Sequence, residues 1–219
     1  MNEPRPSHAR TEPAGADVIA RPFDATGRIG LLGGTFDPVH RGHLDAAVLA
    51  ADLLEFDEVW LVPAGRPHDK PGASTFDDRV GGLHRAVVER ADPRLRICDI
   101  EEELADRMPG PVPTAATVAA LRTRHPQARL TLLVGSDVAA KIDHWDRGQE
   151  LLAAIPIAVI ARPGHNVVVP AAVARHVVVI GPLPQLSSSM LRSRPHRHAP
   201  AGDRGRTSAA GGRLTPAGR

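Results

Sequence analysis

Cysteine and aromatic residues are scarce in this chain of 219 residues, which has one cysteine, no tyrosine and 3% aromatic residues. Cys98 has no partner within the chain, so a disulfide framework and a cysteine-based zinc site are excluded, and we expect a buried structural thiol. The few aromatic side chains leave little surface for stacking nucleic-acid bases. No apolar run approaches the roughly 20 residues of a membrane-spanning helix. These absences leave a globular protein with one sizeable core.

The two ends of the chain differ in composition from its middle. Residues 1–27 lack the apolar segment of a secretory signal, so we expect a flexible extension on a cytoplasmic protein. From Arg192 onward there are seven arginines and one acid, Asp203, which leaves 20 basic and 24 acidic residues for the rest. This acidic body argues against nucleic-acid binding as the main function, although the arginine-rich tail could contact phosphates. Residues 195–219 lack apolar periodicity, and we expect them to be disordered.

Short apolar runs alternate with helical patterns through the middle of the sequence, which is typical of parallel β/α units. We therefore predict a single α/β domain over residues 28–194, with a doubly wound and mostly parallel sheet. The first predicted helix has a regular apolar face that should pack on this sheet. The predicted strands are 28–33, 58–63, 95–100, 130–134, 157–161 and 177–180, and the predicted helices are 42–54, 76–90, 114–124 and 147–154.

The segment GGTFDPVHRGHL lies where the first strand ends and the first helix begins. Gly33 and Gly34 let the backbone approach a ligand closely, and Gly42 keeps side-chain bulk away from the helix N-terminus, which favours phosphate. His40 and His43 are three residues apart, so they should project from one side of the same helix end. Beside several phosphate charges an imidazole is favoured in its charged form. The segment therefore predicts an anion site with two histidine donors.

Two other interpretations of this segment stay open at the level of sequence. A glycine-rich connection between a strand and a helix occurs in many α/β proteins, and a lone histidine is more often structural than catalytic. Alternatively, Asp37, His40 and His43 could form a three-ligand metal set, although no further ligand pattern accompanies them.

The combined pattern resembles the nucleotidyltransferase superfamily with an HxGH signature, here His40–Arg41–Gly42–His43. Its longer form resembles the nicotinate-mononucleotide adenylyltransferase branch, of which phosphopantetheine adenylyltransferase is a near relative. The resemblance implies a Rossmann-like fold, ATP as a substrate that carries Mg²⁺, and two histidines that stabilise the transition state. It also implies that Thr35 and the adjacent backbone, including Phe36, line the phosphates of ATP.

A second segment, LSSSMLRSR at residues 186–194, resembles the ISSTxIR segment of the same family. Ser188 or Ser189 can cap a helix N-terminus while facing an anion, and Arg192 lies one turn further on, where its planar fork can hold phosphate. We expect a second phosphate clamp in the ATP site. The alternative is an ordinary helix cap with a surface arginine.

A third segment, VGSDVAAKIDHW, follows a predicted strand and resembles the family's GxD segment with a tryptophan eight residues after the aspartate. The resemblance places Gly135 and Asp137 in the ATP site. It places Trp145 against the nicotinate ring, whose pyridinium cation suits the face of an indole. The other tryptophan, Trp60, lies within a predicted strand and should belong to the core.

The segment GPVPTAATVAAL at residues 110–121 partly matches a family pattern that reads approximately GPSYTxDTL. Thr114 and Thr117 occupy the threonine positions, and Thr114 at a helix N-terminus could bind the nicotinate carboxylate. Pro113 stands where the family has tyrosine, and Ala116 stands where it has aspartate. These departures bear on the identity of the acceptor more than on the chemistry.

The loop PAGRPHDKP at residues 63–71 resembles the family's basic loop after the second strand. His68 and Lys70 are therefore candidate ligands for the phosphate of the acceptor. A lysine that only faces solvent is the alternative for Lys70.

The expected reaction transfers AMP from ATP to nicotinate mononucleotide and needs no protein nucleophile, because a phosphate monoester is already largely dianionic at neutral pH. His40, His43, Arg192 and Mg²⁺ would hold the reactants in line and neutralise the leaving pyrophosphate. The alternatives are another acceptor such as phosphopantetheine, a cytidylyltransferase, or a non-catalytic nucleotide-binding module. Association into a homo-oligomer is compatible with the sequence.

Overall fold

The computed structural model describes residues 25–68 and 72–161 together with the backbone of a strand at 177–180. All of these lie within the unit Met1–Gln185. The predicted disordered tail at 195–219 and nearly all of the predicted flexible extension at 1–27 lie outside the described residues. The described strands are β1 (Gly27–Gly34), β2 (Glu58–Pro63), β3 (Leu95–Ile97), β4 (Ala128–Gly135), β5 (Ile157–Ile160) and β6 (Val177–Ile180). The described helices are α1 (Arg41–Leu54), α2 (Phe76–Arg90), α3 (Ile100–Arg107), α4 (Thr114–Arg124), α5 (Ser136–Ala139) and α6 (Gly148–Ala154).

The described strands form one parallel sheet in the order β3-β2-β1-β4-β5-β6. β1 lies at the centre of the sheet, with β2 and β3 on one side of it. The chain then crosses to the other side of β1, where β4, β5 and β6 follow. Leu32 of β1 is in register with Leu61 and with Leu133, so the carboxyl ends of the three central strands lie at the same edge. Ligands of open α/β sheets bind at such an edge where the strand order reverses. The predicted doubly wound, parallel, Rossmann-like α/β fold is confirmed.

Helices cover both faces of the sheet because successive strand residues point to opposite sides. Trp60 and Val62 of β2 pack into one apolar cluster with residues of α4 and α6, whereas Val59 and Leu61 pack into a second cluster with residues of α1 and α2. Trp60 and Cys98 are buried, as predicted from the sequence. None of the described helices is long and apolar enough to cross a membrane.

The third predicted strand is shorter than the sequence suggested. We expected it to run over 95–100, but β3 ends at Ile97 and Ile100 begins α3, a helix that the pattern did not predict. Cys98 still donates its backbone N–H to Leu61 O at 2.9 Å, so extended pairing continues for one residue. Three consecutive glutamates then occupy the first turn of α3, where carboxylates are favoured by the helix dipole.

Candidate active site

The turn that joins β1 to α1 is built on two adjacent glycines with different surroundings. A Cβ placed on Gly34 would meet the ring of Phe36 at 3.2 Å, so the absence of a side chain there lets the ring pack closely against the backbone of Gly34. A Cβ placed on Gly33 would have no described atom within 4 Å, and that side of the backbone is open. Phe36 is 2% exposed and has a φ of 52°, a left-handed conformation that a bulky residue rarely adopts. The turn therefore buries Phe36 inward and leaves the backbone at Gly33 accessible.

The two histidines of the motif stack on each other at the N-terminus of α1. Their ring centroids are 3.7 Å apart with an interplanar angle of 27°, and the His43 and Phe36 rings lie edge to face with centroids 5.1 Å apart. His40 is the N-cap residue; its backbone N–H donates to His43 Nδ1 at 3.2 Å, and His43 N–H donates to His40 O at 2.9 Å. Because Nδ1 of His43 accepts a hydrogen bond, the proton of the neutral ring is on Nε2. His43 therefore has a fixed ring orientation with an Nε2–H donor.

The helix termini in the described part of the chain differ in the charge of their first turns. α1 and α4, both described along their whole length, have no acidic residue in the first turn. α2, α3, α5 and α6 each have at least one. A first turn without carboxylates leaves the positive end of the helix dipole for an external anion. The two helices with this property are those whose N-termini the sequence predicts to bind phosphate and carboxylate.

Residues of α2 and of the segment before it form hydrogen bonds to the turn between β1 and α1. Ser74 donates to Asp37 twice, from N–H to Oδ2 at 2.8 Å and from Oγ–H to Oδ1 at 3.0 Å. Arg79 donates from Nη1 to Thr35 O at 3.0 Å and from Nε to Ser74 O at 3.2 Å. The Asp37 carboxylate thus links the turn to Ser74, in the segment before α2. No group of three His, Cys, Asp or Glu side chains able to hold a metal ion occurs among the described residues, so Asp37 and the two histidines do not form the alternative metal set.

Arg79 is a site-supporting residue that the sequence analysis did not identify. Its side chain lies over Phe76 at 5.3 Å and is 3% exposed. Burial lowers the pKa of the Arg79 guanidinium, while the negative charges of Asp37 and Glu101 oppose this shift. A signal for it was present in the sequence, because Arg79, Leu83 and Val87 follow one another at helical spacing on the buried face of α2. An arginine within an apolar stripe needs hydrogen-bond acceptors, and here they are the backbone carbonyls of Thr35 in the turn and of Ser74 before α2.

Trp145, the predicted stacking residue, follows the carboxyl end of β4 after the short helix α5 and a 3-10 turn. Gly135 ends β4, and Asp137 lies in the first turn of α5. A 3-10 turn at Ile142–His144 precedes Trp145, whose backbone N–H donates to Ile142 O at 3.3 Å. Trp145 is half-buried and packs against the same apolar cluster as α4. One part of its indole is therefore fixed by the core while another part remains accessible.

Thr114, the predicted acceptor residue on α4, is one helical turn from Thr117, which is bonded to a half-buried carboxylate that the sequence did not predict. Thr114 is the first residue of α4 and is half-buried. Thr117 is 3% exposed and donates from Oγ1 to Glu101 Oε1 at 2.8 Å. The backbone N–H of Gly65, in the loop after β2, donates to Glu101 Oε2 at 3.2 Å. Burial raises the pKa of the Glu101 carboxyl, and the hydrogen bonds from Thr117 and Gly65 and the charge of Arg79 oppose the rise.

The remaining predicted site residues lie partly outside the described part of the chain. His68 is described and exposed in the loop after β2. Lys70, Ser188, Ser189 and Arg192 lie outside the described residues, so their roles stay predictions from the sequence.

Comparison with known proteins gives consistent similarities in sequence and fold. Residues 31–194 match the model of the cytidylyltransferase-like family. The chain is 33% identical over 174 residues to a relative from Leifsonia xyli subsp. xyli, covering 79% of this chain and 84% of the relative. It is 41% identical over 139 residues to one from Gluconobacter oxydans, covering 63% and 67%. Each of these two relatives bears the name probable nicotinate-nucleotide adenylyltransferase.

The fold is also similar to that of a solved structure from Plasmodium falciparum, a nicotinic acid mononucleotide adenylyltransferase complexed with NaAD. The TM-score is 0.60 at 21% sequence identity, and the match covers 74% of this chain and 77% of that one. At this identity the likeness supports the α/β architecture alone.

Proposed function

The chain belongs to the nicotinate-mononucleotide adenylyltransferase group of the cytidylyltransferase-like family, and from this premise we propose that it transfers AMP from ATP to nicotinate mononucleotide. The products are deamido-NAD and pyrophosphate, and the reaction belongs to NAD biosynthesis. A phosphate oxygen of the acceptor attacks the α-phosphorus of ATP, and the bond from that phosphorus to the bridging oxygen of pyrophosphate breaks. No protein nucleophile is needed, because the acceptor phosphate is already an anion.

The observation that carries this proposal is the histidine pair at the N-terminus of α1. His40 and His43 stack at 3.7 Å beside a turn whose backbone is open at Gly33, and no carboxylate occupies the first turn of the helix. Such a site presents N–H donors and a positive dipole end to a polyanion. We assign both histidines to the negative charge that develops on the leaving pyrophosphate. Nε2–H of His43 is the donor in that ring, since Nδ1 is occupied by the His40 backbone.

ATP binding is assigned to the ends of β1 and β4. The backbone at Gly33, Gly34, Thr35 and Phe36 and the helix start at Gly42 face the phosphates, while Gly135 and Asp137 complete the nucleotide side. Mg²⁺ is part of the substrate in this proposal. It enters with the triphosphate, which supplies oxygen ligands together with water.

Acceptor binding is assigned to the opposite layer of the sheet. Thr114 and the acid-free N-terminus of α4 suit the nicotinate carboxylate, and the half-buried indole of Trp145 suits its pyridinium ring. Lys70 is assigned to the acceptor phosphate, and Ser188, Ser189 and Arg192 are assigned to the ATP phosphates on the sequence resemblance alone. A cytoplasmic location and a homo-oligomer also remain predictions from the sequence.

An assay of pyrophosphate release tests the proposal directly. Purified chain is given ATP or CTP with nicotinate mononucleotide, nicotinamide mononucleotide or phosphopantetheine, and we expect the highest kcat/KM for ATP with nicotinate mononucleotide. As a control, His43→Ala should lower kcat by roughly 10² or more while the thermal unfolding curve stays close to that of the wild type. Faster reaction with phosphopantetheine would overturn the acceptor assignment, and faster reaction with CTP would overturn the adenylyl assignment.

A further inference from the structure

Glu101 connects two segments that are far apart in the sequence. Its two carboxylate oxygens accept hydrogen bonds from Gly65, in the loop after β2, and from Thr117, on α4. Glu101 itself belongs to neither segment, since it lies in the first turn of α3. A single side chain therefore joins the loop directly to α4.

Steric contacts show that the loop is seated on α3 rather than loosely placed near it. A Cβ on Gly65 would overlap the backbone carbonyl oxygen of Glu101 and would lie 3.0 Å from the Cβ of Ala105. The next residue, Arg66, donates from Nη1 to Met108 O at 3.0 Å, just beyond the end of α3. Two successive loop residues thus hold opposite ends of α3, and the path of the loop toward His68 is determined by this helix.

The position of Thr117 relates Glu101 to the start of α4. Residues three apart on a helix lie on neighbouring surface positions, so Thr117 is one turn from Thr114 on the same side. Fixing Thr117 therefore fixes the rotation of α4 about its axis and the direction in which Thr114 is presented. Neither Glu101 nor Thr117 needs to touch a substrate for this effect.

We propose that Glu101 is a positioning residue for the acceptor, which sets the distance between the loop after β2 and the N-terminal turn of α4. This inference rests on the proposed function, because those two segments are the ones assigned to the phosphate and the carboxylate of the mononucleotide. A ligand that bridges both segments is bound well only at one separation. ATP is assigned to other elements, so its binding should be insensitive to this spacing.

The chemistry of the side chain permits a conservative test. A carboxylate can accept from both donors at once, and a glutamine can satisfy both partners as well, with its Oε1 facing the Gly65 amide and its Nε2 facing the Thr117 hydroxyl. Alanine satisfies neither and leaves the half-buried Gly65 N–H and the buried Thr117 hydroxyl without that acceptor. Glutamine should thus preserve the spacing and alanine should lose it. The neighbouring Glu102 is exposed, so Glu102→Ala is a matched control.

The test measures KM for each substrate, kcat and the thermal unfolding temperature for the wild type, Glu101→Ala, Glu101→Gln and Glu102→Ala. We expect Glu101→Ala to raise the acceptor KM on the order of 10-fold with little change in the ATP KM. Glu101→Gln should restore most of this loss, and Glu102→Ala should behave as the wild type. If Glu101→Ala does not fold, Thr117→Val removes one donor without a change in volume and should raise the acceptor KM in the same selective way.

The outcomes separate the inference from the function on which it rests. If the wild type uses nicotinate mononucleotide but the variants change both KM values equally, or neither, the positioning role is wrong and the function stands. If the acceptor panel selects another phosphate acceptor, the function is wrong, and the same KM comparison with that acceptor still decides the positioning role. A Glu101→Gln variant as impaired as Glu101→Ala would also overturn the role, because it would show that charge rather than spacing is required.

Discussion

Gly42→Ala should make the protein more stable and less active, and these opposite signs make it a sharp test of the histidine geometry. Gly42 is the second residue of α1 and is exposed. Replacing a helical glycine with alanine gains up to about 1 kcal/mol of unfolding free energy in a helix interior, and less in the first turn. Nothing in the core opposes that gain.

The loss of activity should come from a displaced His40 ring. A Cβ at position 42 would lie 3.2 Å from Nδ1 and 3.3 Å from Cε1 of the His40 ring, so the ring must give way by a few tenths of an ångström. The ring is not free to move far, because it stacks on His43 at 3.7 Å. A misplacement of about 1 Å can cost on the order of 10²-fold in rate, so a few tenths should cost roughly 4- to 10-fold in kcat.

The assay combines urea unfolding with steady-state pyrophosphate release. Gly81→Ala is the matched control, because Gly81 lies within α2 and its added Cβ would come no closer than 3.7 Å to the flexible end of Arg85. The control should gain stability without losing kcat. A Gly42→Ala enzyme with unchanged kcat would refute the claim that the position of His40 matters, and a destabilised one would refute the predicted gain from helix propensity.

One further substitution, at Trp145, and one labelling reaction, at Cys98, test other parts of the structure. Trp145→Ala should lower kcat/KM for the acceptor by roughly 5- to 30-fold and leave the ATP KM unchanged. This loss is equivalent to about 1–2 kcal/mol of stacking and cation–π attraction. Equal effects on both substrates would contradict the ring-stacking role. Burial raises the pKa of the Cys98 thiol to about 12, so near neutral pH it is protonated and should resist iodoacetamide in the native protein but react fully in guanidinium chloride. Rapid labelling of the native protein would show that the thiol is neither buried nor protonated.

The sequence predicted most elements around the site because their local signals agree. β2, α2 and α4 begin and end where the apolar periodicity, the helix termini and the proline after Arg124 indicated. The connection from β1 to α1 was predicted as a glycine-rich turn before a helix start, and the paired imidazoles are found there. In contrast, the end of β3 was placed too late, because Cys98 and Ile100 continue the apolar content of a strand.

The residues that hold the site in place were not predicted, for a physical reason. Asp37 and Ser74 are 37 positions apart, and Gly65 and Glu101 are 36 apart. Such pairs are brought together by the order of strands in the sheet, which no local pattern encodes. Local reasoning sees a serine, an aspartate and a glutamate in polar segments, where each is ordinarily exposed to solvent.

Ser74 and Arg79 form hydrogen bonds to the turn that contains Thr35 and Asp37. The residues that define the candidate site are therefore not contiguous in the sequence. The segment GGTFDPVHRGHL contains the groups that we assign to the nucleotide, but its conformation depends on a serine and an arginine that follow the second strand in the sequence. A loop carrying those letters, transplanted onto another strand–helix junction, would lack the partners for its aspartate and its threonine carbonyl. The signature of this chain is therefore described better in two parts, the second of which is a serine followed five residues later by an arginine on the buried face of α2.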